Sequence, residues 1–239
     1  MATAQDRREA LKRIYLEEAK DCTRCALHES RTTVVFGAGD ADADLMFVGE
    51  APGRNEDEAG LPFVGRAGKL LDTLLGEIGL ARSDVFIANV LKCRPPGNRD
   101  PQPAEIAECS SYLMRQVELI EPRVICTLGN FSTKLLRDDQ TGITRLHGQS
   151  EVFTIGARTV RLYPLYHPAA ALYTPSMLDT LRADFAGLPA LLDQDAPAQP
   201  EPAPAPAPLD VPEPEDSEPV VSAAPTDPAP EEASQLGLF

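Results

Sequence analysis

Three short apolar runs, Leu45 to Val48, Val85 to Val90 and Val124 to Leu128, are each followed by a loop and then by a stretch with helical spacing. Those stretches are Ala67 to Ile78, Pro103 to Ile120 and Phe131 to Leu136. Strands that alternate with helices in this way pair in parallel, and the helices cover both faces of the sheet. The pattern therefore predicts a three-layer α/β/α sandwich around a central, mostly parallel four-stranded sheet. Thr33 to Phe36 is a further apolar run, and Val152 to Ile155 with Thr159 to Leu162, flanking Gly156, reads as a hairpin or edge pair. Residues 5–20 place Ala10, Leu11, Ile14, Tyr15 and Ala19 at helical spacing between charges, which predicts an amphipathic helix, and Pro175 to Leu192 reads as a last helix. There is no internal repeat.

The end of the chain has a different character. From Asp193 to Phe239 there is no Lys or Arg, and 12 of the 23 prolines fall there among Ala and acidic residues. Such a stretch has too little apolar surface to offset the entropy of ordering. The organisation expected is thus a folded domain over 1–192, a disordered acidic tail over 193–234 and a separate terminal motif over 235–239. The division also resolves the net charge of −15: the tail holds 11 of the 37 acidic residues, leaving 26 against 22 basic ones in the body. On such a surface Lys92, Arg94, Arg99, Lys134, Arg137 and Arg145 are candidates for a local phosphate-facing patch. No apolar run approaches the ~18 residues of a membrane span, and the N-terminus lacks the apolar core of a signal peptide. A cytoplasmic protein without membrane contact is expected. In that reducing compartment five cysteines read as metal ligands or core residues rather than disulfides.

Ligands of open α/β sheets collect in the crevice beyond the carboxyl ends of the strands. Three unusual loops leave strands there: Gly49 to Gly65, Lys92 to Pro103, and the Tyr166-His167-Pro168 corner. The first is glycine-rich and lets backbone approach a ligand closely, while delivering carboxylates and one aromatic ring. It lacks the G-K-[ST] of a phosphate-binding loop and the G-x-G-x-x-G of a dinucleotide site. Cys22 and Cys25 form a C-x-x-C pair, and Cys93 and Cys109 lie 16 positions apart. Four such thiolates suit either zinc or an iron–sulfur cluster, and spacing does not separate the two. Cys126, inside an apolar strand, reads as a buried small hydrophobe.

Taken together, G-E-A-P-G at Gly49 to Gly53, G-x-P-F-V-G at Gly60 to Gly65, N-V-x-K-C-R-P-P-x-N-R at Asn89 to Arg99, H-P-A at His167 to Ala169 and the cysteine spacing resemble the family 4, thermostable-type uracil-DNA glycosylases. The resemblance spans about residues 10–190. It implies a uracil-DNA glycosylase-like fold, uracil-containing DNA as substrate, and a [4Fe-4S] cluster on Cys22, Cys25, Cys93 and Cys109. With an extruded base as ligand, Phe63 would be the stacking wall, and the Asn89 amide can match O4 and N3–H of uracil. In the resembled family the histidine motif, here His167, points at uracil O2, where a donor stabilises the leaving group. Ala51 and Gly53 would border the base. Glu50 is the first candidate to position water and stabilise the sugar cation, with Glu56 as second base or as a wall against the thymine methyl. The best-known uracil glycosylases carry Asp where this chain has Ala51, so the identity of the base stays open. Leu172 and Tyr173 suit a wedge filling the stack, and Lys92 reads as a phosphate contact rather than a Schiff-base nucleophile, which predicts a monofunctional enzyme.

Two alternatives accompany this reading. A covalently trapped uracil-DNA binder of a related branch would carry a histidine in the basic loop after the third cysteine, and Cys93 to Arg99 has none. A DNA-binding protein regulated through the redox state of a cluster would make His167 and the carboxylates incidental. At the end of the chain, Gln235, Leu236, Leu238 and Phe239 resemble the Q-L-x-L-F motif by which bacterial repair proteins bind the sliding clamp. The body itself is expected to be a monomer.

Overall fold

The computed structural model describes residues 2–200; the remainder of the tail and the Gln235 to Phe239 motif lie outside them. Helix α1 (Ala4–Ile14) starts at a capping box, in which the Thr3 hydroxyl accepts from the Asp6 N–H and the Asp6 carboxylate accepts from the Thr3 N–H, and it runs on through one π turn at Tyr15–Ala19. Strands β1 (Ala38–Gly39) and β2 (Leu45–Gly49), helices α2 (Arg54–Ala59) and α3 (Arg66–Glu77), strand β3 (Phe86–Asn89), helix α4 (Pro103–Ile120) and strand β4 (Val124–Leu128) follow. The chain continues through α5 (Asn130–Arg137), α6 (Ile143–Leu146), β5 (Glu151–Ile155), β6 (Arg158–Leu165), α7 (Pro168–Ala171), α8 (Pro175–Ala186) and α9 (Leu188–Leu192).

The sheet order is β1-β3-β2-β4-β6-β5. The four central strands, β3, β2, β4 and β6, are mutually parallel, and the two edges are antiparallel. Alternate residues of each central strand enter opposite cores, as the period of a strand requires. Met46, Val48, Phe86, Ala88 and Ile125 meet Leu11, Ile14, Leu113 and Val117 of α1 and α4. Leu45, Phe47, Ile87, Val124 and Cys126 meet Leu71, Leu74, Leu181 and Phe185 of α3 and α8, with Phe47 stacked on Phe185 at 5.8 Å. Cys126 is fully buried among them, as a core residue.

Several expectations shift. Thr33 to Phe36 runs extended but forms no ladder; only Ala38 and Gly39 pair with β3, where a side chain on Gly39 would lie 1.9 Å from the Val85 carbonyl. The last helix breaks at Gly187, where Tyr163 donates to the Asp184 carbonyl at 2.9 Å and Pro189 brings no N–H to the next turn. Composition assigns residues 193–200 to the tail, yet they are bound to the body. Arg123 donates to the Gln194 carbonyl, Arg161 to that of Asp195 at 2.7 Å, and the Gln199 side-chain amide meets both N–H and C=O of Thr159 at 3.1 and 2.9 Å. Pairing of β4 with β6 begins only at Arg161, so the Gln199 amide fills the place of the missing strand. Among the described residues no helix is long and apolar enough to cross a membrane.

Candidate functional site

Parallel strands bring their carboxyl ends to one pole, and a cavity of about 430 Å³ opens there. Its lining includes Glu50, Ala51, Gly53, Glu56, Phe63, Asn89 and His167, so every pocket residue expected from the sequence meets in one place. Ala67, Pro95, Asn98, Arg99 and Ala169 also line it; Pro95, Asn98 and Arg99 come from the Lys92 to Pro103 loop expected at the site, but none of the five had been given a role at the base.

Asn89 ends β3 with 2% of its surface exposed, and its Oδ1 is buried without a hydrogen-bond partner. An orphan acceptor of this kind costs stability unless a ligand completes it. The approach is permitted by Gly49 at the end of β2: a Cβ there would lie 2.4 Å from Asn89 Oδ1 and 2.9 Å from the Phe63 ring. Phe63 is held in a left-handed conformation, φ 54°, that a phenylalanine adopts only under constraint. The constraint comes from three sides. Arg82 donates to the carbonyls of Pro62 and Phe63, Glu56 Oε1 accepts from the N–H groups of Val64 and Gly65 at 3.0 and 2.9 Å, and Gly68 leaves room for the Phe63 carbonyl, which would stand 1.6 Å from a Cβ. The Phe63 ring then faces the His167 ring at 5.6 Å.

His167 caps α7. Its Nδ1 accepts from the Ala169 N–H at 3.1 Å, which leaves the ring proton of the neutral form on Nε2. Burial pushes its pKa down to about 4 against the opposing charge of Glu56, so the ring is a neutral donor at physiological pH. Glu50, half-buried one residue after β2, has its pKa raised by burial and by the neighbouring Asp100. Glu50 and His167 also border a second recess of about 630 Å³ lined by Asp100, Gly129, Asn130 and Lys134. Glu56 spends one carboxylate oxygen on the Phe63 loop, which gives it a holding role that its sequence position does not reveal.

The expected basic patch is corrected in part. Lys92 is 1% exposed and faces inward, its Nζ donating to the Asn89 carbonyl and to Gln116, so it is no phosphate contact. Arg137 is held by Glu151 and Asp139, and Arg99 by both oxygens of Glu105. Arg145 is exposed, and Lys134 borders the second recess. Tyr173 is 76% exposed beside Arg66, whose guanidinium lies 5.2 Å from its ring centre and donates to its hydroxyl.

Cys22, Cys25, Cys93 and Cys109 line a small separate cavity with Arg31, Lys92 and Tyr112. Donors address the sulfurs: the Lys92 N–H meets Cys109 Sγ at 3.2 Å, Arg31 meets Cys93 Sγ at 3.4 Å, and Tyr112 and Arg24 hydrogen-bond Cys22. Among the described residues no three His, Cys, Asp or Glu side chains are grouped so as to hold a single metal ion. The four thiols border one space, and such a set suits either zinc or an iron–sulfur cluster.

The profile of the uracil DNA glycosylase superfamily matches residues 36–186. The chain is 49% identical over 174 residues to a type-4 uracil-DNA glycosylase of Sulfurisphaera tokodaii, covering 71% of this chain and 79% of the relative. It is 44% identical over 186 residues to the type-4 enzyme of Archaeoglobus fulgidus, covering 76% and 94%. With that of Thermotoga maritima the identity is 46% over 166 residues, covering 69% and 85%.

Proposed function

Since this chain belongs to the type-4 uracil-DNA glycosylases of the uracil DNA glycosylase superfamily and acts in excising uracil from DNA, we propose that the 430 Å³ cavity receives the extruded base and is where its N-glycosidic bond is hydrolysed. The observation that carries the assignment is the buried, unpartnered Oδ1 of Asn89 at the cavity wall. It accepts from uracil N3–H while the amide nitrogen donates to O4; cytosine presents the reverse pattern and leaves the amide mismatched. Phe63 supplies the stacking face. The Nε2–H of His167 donates to O2. As the C1′–N1 bond breaks, its electron pair passes to the uracil ring and spreads onto O2, where one such donor contributes ~3 kcal/mol.

The sugar is left as a cation. Glu50, ionised, offsets that charge and orients a water, for which the second recess provides access. The water oxygen bonds to C1′, its proton passes to Glu50, and uracil leaves as an anion that takes a proton from solvent. Ala51 carries no group for this step, which leaves it to Glu50. Among the described residues no lysine lines the base cavity and the scheme forms no bond to an amine, so the product is an unbroken abasic strand. Tyr173, exposed beside Arg66, fills the vacated stack. In a gel assay of uracil-containing duplex, Glu50→Gln and His167→Ala should lower the single-turnover rate by about a hundredfold each, whereas Asn89→Asp should mainly erode uracil selectivity. Wild-type rates in both of the first two would remove the assignment.

The four-cysteine cavity is where a [4Fe-4S] cluster would be held, on Cys22, Cys25, Cys93 and Cys109. When bound, it supplies iron–thiolate bonds that cross-link the end of the first helix to the segment after Asn89 and to α4, a structural brace rather than a reactant. The tail is proposed to carry the enzyme to the sliding clamp through Gln235, Leu236, Leu238 and Phe239, on a Pro-rich tether whose acidic charge keeps it off DNA.

A further inference from the structure

Lys92 stands between the two centres and belongs to neither set of reacting or ligating groups. It is 1% exposed, and among the described residues no carboxylate pairs with it. Its Nζ donates to the Asn89 carbonyl at 2.8 Å and to Gln116 Oε1 at 2.6 Å, and Gln116 Nε2 donates onward to the Phe36 carbonyl at 2.8 Å. Its own N–H donates to Cys109 Sγ, and Cys93 is the next residue. Burying an ammonium is expensive unless its hydrogen bonds are completed and its charge is compensated. Two of its three N–H groups are taken by Asn89 and Gln116, and the Phe36 ring lies 5.8 Å from the Nζ.

The consequence falls on the peptide that follows Asn89. Its carbonyl is fixed by the Lys92 ammonium, and its N–H, that of Val90, donates to the Gly49 carbonyl at 3.0 Å. A peptide plane held at both ends fixes the direction of the Asn89 side chain, which has no hydrogen bond of its own at Oδ1 to do so. We propose that Lys92 is a positioning residue for base recognition: from beneath the sheet end it holds the Asn89 amide in register with uracil, and it ties that register to the four-cysteine centre. The proposal rests on Asn89 being the base-reading amide.

The test compares full-length, iron-loaded Lys92→Met and Asn89→Ala with wild type in single-turnover excision over a range of enzyme concentrations. Lys92→Met keeps the length of the side chain and removes the charged donor. It should raise the half-saturating concentration about tenfold, the effect of losing a charged hydrogen bond, while the saturated rate stays within about threefold. Discrimination of uracil from cytosine should fall in parallel, and the midpoint potential of the cluster, read by voltammetry, should move negative because a nearby cation is gone. An iron-loaded Lys92→Met with wild-type half-saturation and selectivity, beside an impaired Asn89→Ala, overturns the role of Lys92 alone. A wild-type Asn89→Ala overturns the pocket reading, and the proposal with it. If Lys92→Met does not retain iron, Gln116→Leu takes its place, since it cuts one tether of the ammonium and leaves the charge. A rise in half-saturation of about threefold supports the proposal, and unchanged values overturn it.

Discussion

A histidine whose Nδ1 already accepts a backbone N–H can protonate only by giving up that bond, and in His167 burial opposes the charge as well. Two pH effects follow, one on catalysis and one on stability. In catalysis, His167 stays a neutral donor down to about pH 4, so the acid limb of the saturated rate belongs to Glu50, whose pKa is raised above the ordinary carboxylate value. That limb should therefore vanish in Glu50→Gln and persist in His167→Gln, each profiled from pH 4 to 8. In stability, the unfolded histidine takes up its proton near 6.5 and the folded one near 4. Between those values the unfolded state binds more protons, so stability falls as pH is lowered through the window and levels off below it. The loss amounts to at most about 3 kcal/mol. Thermal melts of wild type and His167→Gln should diverge over that range, with wild type losing more; parallel curves would contradict the buried neutral ring.

The site is also a property of the elements that present it. Phe63 keeps its left-handed backbone because Arg82, Glu56 and Gly68 surround the loop between α2 and α3. Gly68→Ala would drive a methyl into the Phe63 carbonyl, and the loop must move; uracil excision should fall by at least about tenfold while the melting temperature drops only a few degrees, because the strain relaxes locally. The cysteines act on larger pieces. Cys93→Ala should lose iron and cooperative folding together, and a mutant that melts like wild type without iron would contradict the brace. These elements also mark how far the sequence can be read. The parallel order was legible because buried central strands and their helices leave long, unambiguous apolar patterns. The loops that line the cavity were legible because glycine and proline punctuate them, whereas the individual residues at the base were named through the family resemblance. Short α2 and α6 were not, since four to six residues carry too little periodicity to be seen. Lys92 was misread for a related reason: charge predicts exposure, whereas its ammonium is turned inward onto the Asn89 carbonyl and the distant Gln116, which α4 brings in.

At the scale of the molecule, the body carries a nearly balanced charge and most of the net negative charge lies in the tail. Removing Gln235 to Phe239 should abolish clamp binding in a calorimetric titration and leave excision on short oligonucleotides unchanged; undiminished clamp affinity would end that part of the reading. The hydrogen bonds of residues 194–199 add a constraint on how such a tether can work. They fall on Arg123, just before β4, and on Thr159 and Arg161 near the start of β6, whereas Gly49, Asn89 and His167 lie at or beyond the far ends of their strands. Residues 194–199 are therefore fastened to the back of the enzyme, the pole opposite the cavity, so the contacts that hold this segment and the contacts proposed for the base do not compete for the same face.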